Sequence, residues 1–204
     1  MADKKTRIMA VGDIHGDSGL VRRLAKKAQD ENVDIVILAG DLTFADQPAK
    51  DIIKPFLKVH KKVLIIPGNH EPNETTDMMA QFYTDTINLH NSAYRKGNVG
   101  IFGAGTVEDS DEPLKSSEIF KSLAQGFEQI KDLEKKIMVT HMHPHGSQSE
   151  FSGFKGSKAI KEAVRKFKPD LLITSHIHEA GGLQEHFDNT LVVNVSRSPA
   201  IFDI

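Results

Sequence analysis

The chain has 204 residues, 39% hydrophobic and 26% charged, the composition of an ordinary globular protein. A formal net charge of −2 gives no reason to expect a polyanion as obligatory partner, so nucleic acid is not one. No apolar run approaches the ~20 residues of a spanning helix, which excludes a membrane partner of that kind. With no cysteine, disulfides and thiolate metal sites are excluded. Any metal must be held by His, Asp, Glu, Asn and water, which suits Mn, Fe, Zn or Mg. The first residues, Met1 to Arg7, run directly into a strand-like segment, so no signal peptide is expected and the expected location is cytoplasmic.

In chain order, Arg7–Val11 is a first apolar run, followed by a helical stripe of Leu20, Val21, Leu24, Ala25 and Ala28. Residues 34–39 make a second run. Residues 48–59 have a helical pattern that Pro55 interrupts, because proline removes a hydrogen bond. Lys62–Ile66 is a third run. Residues 91–95 and 98–102 are expected to pair through Lys96-Gly97. A second stripe, Ile119, Phe120, Leu123, Phe127 and Ile130, precedes a run at 136–140. A third stripe, Ile160, Ala163, Val164 and Phe167, is capped by Ser157 and precedes a run at 170–174. Residues 182–187, 190–195 and 200–204 have the pattern of antiparallel strands, with Asp188-Asn189 as a hairpin turn. The Ile, Val and Leu runs lack polar alternation, as parallel strands do when helices cover both faces. There is no repeat, linker or low-complexity tract, so residues 1–204 read as one α/β domain.

Chemistry-bearing residues stand just past these runs. The first is followed by Gly12-Asp13-Ile14-His15-Gly16, the second by Gly40-Asp41, the third by Pro67-Gly68-Asn69-His70-Glu71. The later two are followed by His141-Met142-His143 and Ser175-His176-Ile177-His178. Ligands of open α/β sheets bind beyond the carboxyl ends of the strands, so five adjacent strand ends would deliver these side chains to one crevice. Asp13 with His15, and His176 with His178, have the i, i+2 spacing that points both to one side of an extended loop. Any one of these residues alone reads more simply as a cap or turn former. Together they are costly to bury without a cation. Two divalent ions remove that cost, and a bridging carboxylate would set them about 3.5–4 Å apart for displacement at phosphorus.

The ordered blocks Asp13-Ile14-His15, Gly40-Asp41-Leu42-Thr43, Gly68-Asn69-His70-Glu71, Thr140-His141 and Ser175-His176-Ile177-His178 resemble the calcineurin-like metallophosphoesterase superfamily, its small phosphodiesterase-like members above all. That family carries DxH, GDxx, GNHE or GNHD, a His after the next core strand, and GHxH. The resemblance covers nearly the whole chain and implies a four-layer α/β/β/α sandwich with mixed sheets. It implies one metal held by Asp13, His15 and His178, another by Asn69, His141 and His176, and Asp41 bridging them. The metals would be two divalent ions, Mn, Fe, Zn or Ni. The implied reaction is hydrolysis of a small phosphate ester by a hydroxide that bridges the metals, with His70 outside the cage as catalytic acid. Asn69, His70 and His143 are the expected substrate contacts.

The sequence also departs from the family pattern. Ser175 stands where Gly is commonest; serine is small, although a strained backbone there would prefer Gly. His143 replaces a proline, and His145 lies nearby; each reads equally as a rim or substrate contact or as a solvated loop residue. Arg197 reads as a surface turn residue. Protein phosphatases of the family continue as GDxVDRG and GNHExxR, whereas this chain has Phe44-Ala45-Asp46 and Pro72-Asn73-Glu74, without those arginines. A phosphodiester is therefore expected over a phosphomonoester. Residues 146–156, with Phe151 and Phe154, form either a substrate-edge loop or a surface connection whose two rings pack down on the fold. Lys155, Lys158, Lys161 and Arg165 read as a solvated helix face. The competing function is a protein-binding scaffold that has lost catalysis; intact ligand positions and His70 weigh against it. A nuclease would call for a DNA-binding extension, which is not visible.

Overall fold

The computed structural model describes residues 5–44, 51–105 and 113–204. Its described strands form two mixed sheets. The first contains β1 (Arg7–Val11), β2 (Ile35–Ala39), β3 (Lys62–Ile66), β4 (Thr86–Asn88) and β11 (Ala200–Asp203), in the order β11-β1-β2-β3-β4. The second contains β5 (Ala93–Lys96), β6 (Val99–Ala104), β7 (Lys135–Thr140), β8 (Leu171–Thr174), β9 (Gln184–Phe187) and β10 (Thr190–Asn194), in the order β5-β6-β7-β8-β10-β9. β1 to β4 run parallel to one another, as do β6, β7, β8 and β10. The antiparallel members β11, β5 and β9 lie at the sheet edges.

The absence of polar alternation in the strands has a direct cause. Alternate residues Ile8, Ala10, Ile35, Ile37, Leu64 and Ile66 of the first sheet pack against Ile101, Ile137, Val139, Ile173 and Val193 of the second. The intervening Met9, Val11, Val36, Leu38, Val63 and Ile65 pack beneath α1 (Ser18–Asp30) and α2 (Lys54–Lys58). On the far side, Phe102, Met138, Leu172 and Val192 are covered by α4 (Pro113–Glu128) and α5 (Lys158–Phe167). Both strand faces are dry, and the result is an α/β/β/α sandwich. Asp17 caps α1 by accepting from the Leu20 N–H at 2.8 Å, and Ser157 caps α5 by accepting from the Ile160 N–H at 3.1 Å.

Some expectations change. The five strands that end in chemistry are not adjacent in one sheet: β1, β2 and β3 belong to the first, β7 and β8 to the second. The helix expected at 48–59 is confined to Lys54–Lys58, where Pro55 sits in the first turn and its missing N–H has no partner to lose; residues 48–50 lie outside the described residues. The first hairpin turns through Gly97-Asn98, because Lys96 pairs with Val99. A further helix, α3 (Asn73–Phe82), gives no apolar stripe in the sequence because it docks by polar contacts. The Asn88 amide donates to Asn73, Thr76 and Asp77 at 2.9, 3.1 and 2.8 Å. Among the described residues no helix is long and apolar enough to cross a membrane.

Leu64 is fully buried between the sheets. Leu64→Ala is expected to cost about 2–5 kcal/mol, read as a lowered midpoint in urea unfolding.

Candidate metal centre

The first sheet contributes Asp13 and His15 after β1, Asp41 after β2, and Asn69 and His70 after β3. The second contributes His141 after β7, and His176 and His178 after β8. Three sets of donors converge, each within 4.8 Å: Asp13 with His15 and His178, His15 with Asp41 and His70, and Asp41 with His141 and His176. The first and third sets each draw from both sheets.

Local backbone makes this convergence. Asp13, His15, Asp41 and His176 all have positive φ, at 54°, 47°, 51° and 69°. Non-glycine residues adopt that conformation at a cost of about 1–3 kcal/mol each, and it persists where surrounding contacts over-determine it. The left-handed bends, rather than an extended loop, turn Asp13 and His15 towards the same place. The strain expected at Ser175 falls instead on His176. The loops also bond to one another: Asp13 N–H to Gly40 O at 3.1 Å, His15 N–H to Asp41 O at 2.9 Å, and Ser175 N–H to His141 O at 2.9 Å. Gly40 has φ +86°, and a Cβ there would collide with the His141 ring.

Asp41 faces both ends of the site. Its Oδ1 lies 3.4 Å from His141 Nε2, while Oδ2 lies 3.8 Å from His15 Nε2 and 3.9 Å from His70 Nε2. The N–H groups of Asn69 and His70 also donate to Oδ1, at 2.8 and 3.0 Å. Asn69 Oδ1 lies 3.2 Å from His141 Nε2, and Ala39 O lies 2.8 Å from His141 Nδ1. At the other end, Asp13 Oδ1 is 3.3 Å from His178 Nε2 and 3.8 Å from His15 Nε2, and the two imidazole nitrogens are 3.3 Å apart.

Burial presses His141 towards its neutral form, but hydrogen bonding and charge from Asp41 outweigh it and raise its pKa to about 9. Burial alone would raise Asp41, yet His141 and the His70 N–H hold it well below the usual carboxylate range. Burial lowers His15, and lowers His176 to about 4. The latter two therefore stand as neutral imidazoles at neutral pH, the form that ligates a metal. Asp13 Oδ1 is buried without a hydrogen-bond partner, a costly state that a cation would relieve. The donor set of carboxylate, imidazole and amide oxygens suits hard to borderline divalent ions.

Three contributors escaped the sequence reading. The buried Glu71 carboxylate accepts from the N–H groups of Leu42, Thr43 and Gly68 at 3.1, 3.0 and 2.9 Å, and from the Thr43 hydroxyl at 3.0 Å. It thereby ties the Asp41 loop to the Asn69 loop. Ser175 Oγ donates to Asp13 Oδ2, which also accepts from the His176 N–H at 3.0 Å. A Cβ on Gly12 would collide with this hydroxyl, so the serine fits because residue 12 is glycine. Phe44 stacks on His70, with centroids 5.2 Å apart and planes 18° apart. The motif signal for Glu71 was already present in Gly68-Asn69-His70-Glu71; Ser175 looked like a mild departure.

Other expectations resolve more simply. His143 is fully buried, with neither ring nitrogen in a well-formed hydrogen bond, so it is not on the rim. His145 pairs with Glu150 at 2.9 Å. Arg197 is a turn residue with φ +50°, whose N–H donates to Gly12 O at 3.0 Å while its guanidinium reaches Asp13 O at 3.4 Å.

A two-sheet sandwich with Asp and His gathered where the sheets' carboxyl ends meet defines the metallophosphoesterase class. The calcineurin-like phosphoesterase family model matches residues 6–180, and the chain belongs to that family. That membership points to a metal-dependent phosphoester hydrolase. No curated protein sequence matches the chain closely enough to count as a relative. Among solved structures, a Thermus thermophilus protein is similar at a TM-score of 0.76 and 18% identity, covering 98% of this chain and 99% of its own. An archaeal phosphodiesterase is similar at 0.55 and 19%, covering 93% and 82%. A Danio rerio dimetal phosphatase is similar at 0.61 and 14%, covering 94% and 87%.

Removing Glu71 leaves several buried N–H groups unpaired. Glu71→Ala is expected to destabilise the fold by about 2–4 kcal/mol, measured by denaturant titration.

Proposed function

We propose that residues 1–204 act as one domain that hydrolyses a small phosphodiester, in the cytoplasm, with two divalent metal ions. The observation that carries this reading is the pair of mixed-sheet donor groups joined through the two oxygens of Asp41. Asp13, His15 and His178 would hold one ion, and Asn69, His141 and His176 the other, with Asp41 shared. When bound, the ions supply positive charge for the phosphate oxygens and activate a water as nucleophile.

The protein's own groups complete the chemistry. Ser175 and the His176 N–H hold one Asp13 oxygen and leave the other facing His178 and His15. Glu71 fixes the loop that carries Asn69 and His70. His70, half-buried beside Asp41 and under the Phe44 ring, would contact the phosphate and give a proton to the leaving oxygen. Asn69 is exposed at the mouth and is the other substrate contact. The phosphodiester preference rests on the absence of arginine after Asp41 and Asn69 in the positions that clamp a phosphomonoester dianion. His143, being buried, is not assigned a substrate contact.

The competing reading is a metal-holding scaffold without turnover. Metal analysis followed by parallel assays of a chromogenic phosphodiester and monoester with added Mn separates the two. Hydrolysis with the diester preferred supports the proposal; a metal-loaded protein inactive on both, and on a nucleotide panel, overturns it. Chelation is expected to abolish activity and Mn to restore it. His70→Ala is expected to lower kcat by about two to four decades with metal content unchanged. Because His70 also lies in one donor set, loss of metal together with activity would make it a ligand instead.

A further inference from the structure

Five large apolar side chains are exposed among the described residues, and two of them touch site histidines. Phe44 is 56% exposed although it stacks on His70 and meets His15 edge-on at 5.9 Å. Phe154 is 63% exposed and meets His176 edge-on at 6.1 Å. The first ring stands beside the His15 and His70 end of the site, the second beside the His141 and His176 end.

Phe154 is presented by a fastened loop. The Glu150 carboxylate accepts from Gly146 N–H and Gly156 N–H, both at 2.9 Å, and pairs with His145 at the same distance. Glu150 thus joins the two ends of the 146–156 loop. The Gln148 N–H is anchored outside it on Glu185 at 2.9 Å. The rings of Phe151 and Phe154 do not pack down: the loop is tied in place while both remain in water. Holding an apolar ring in water beside a phosphate-handling centre costs hydration free energy at both positions, which a flat apolar partner would recover.

We propose that Phe44 and Phe154 are stacking contacts for nucleobases, and that the substrate is a nucleoside-bearing phosphodiester. This rests on the phosphoesterase reading. A phosphodiester sends two organic arms away from phosphorus, and the site offers a ring on each flank. The leaving arm passes Phe44, because that ring lies on His70, the acid; the retained arm passes Phe154 beside His176. Aromatic stacking tolerates any base, since every base has a π face, so the preference is for nucleosides over simple alcohols rather than for one base.

The test uses equilibrium binding to the Mn-loaded protein, so turnover is not needed. Adenosine 5′-monophosphate and ribose 5-phosphate share the phosphate and the sugar and differ by the base. Calorimetric titration is expected to show the nucleotide binding at least about tenfold tighter, which lies within the range of base–aromatic stacking. In a Phe44→Ala/Phe154→Ala double variant that ratio is expected to fall below about threefold, while the Phe44→Trp and Phe154→Trp variants retain it. Both rings are exposed, and a thermal melt checks that the double variant folds; each single alanine variant is titrated as well and is expected to lose part of the ratio. Equal affinities in the parent protein, or an undiminished ratio in the alanine variants, overturn the proposal. A protein inactive on every phosphoester yet selective for the nucleotide would lose the proposed activity and keep the base site. One that hydrolyses diesters but ignores the base would do the reverse.

Discussion

Asp13 and Asp41 are buried carboxylates with few ways of being neutralised, and much of this end of the molecule is organised around them. Two backbone N–H groups and the His141 imidazole face one oxygen of Asp41. A serine hydroxyl and a backbone N–H bind one oxygen of Asp13 and leave its other oxygen without a hydrogen bond. Four residues of the site accept left-handed backbone to bring their side chains inward. Unfavourable terms of this kind gather where function requires them, and the surrounding sandwich is large and dry enough to tolerate them.

The layers were legible because burial on both strand faces leaves an unmistakable pattern. Runs such as Ile35–Ala39 have no polar residue to mark a solvent side, and the stripes of α1 and α5 show which face each helix buries. What the runs do not encode is which sheet each belongs to. A strand buried on both faces has the same composition in either sheet, so the division of β1, β2 and β3 from β7 and β8 had to come from the family resemblance and then from the structure. α3 was missed for the opposite reason. It docks through the Asn88 amide, and polar docking has no hydrophobic period.

The site was legible in a different way. Asp13, His15, Asp41, Asn69, His141, His176 and His178 stand out because acids and histidines just past apolar runs are conspicuous. Supporting groups are not. Ser175 is an unremarkable small residue until its hydroxyl is seen on Asp13, with Gly12 making room for it. The burial of His143 was equally invisible, since a histidine three residues past a strand reads as a loop residue until its ring is seen to be out of water.

The division of the donor sets between the two sheets has a mechanical consequence. Asp13 and His15 stand on one layer and His178 on the other; Asp41 stands on one and His141 with His176 on the other. A cation held by either set would act as a rivet through the sandwich, in series with the apolar contact between Leu64, Ile137 and their neighbours. Affinity at the rim and cohesion of the interior then become linked quantities, each raising the other by the same free energy. Loosening the layers far from the crevice would weaken the grip on the ion without touching any residue that binds it.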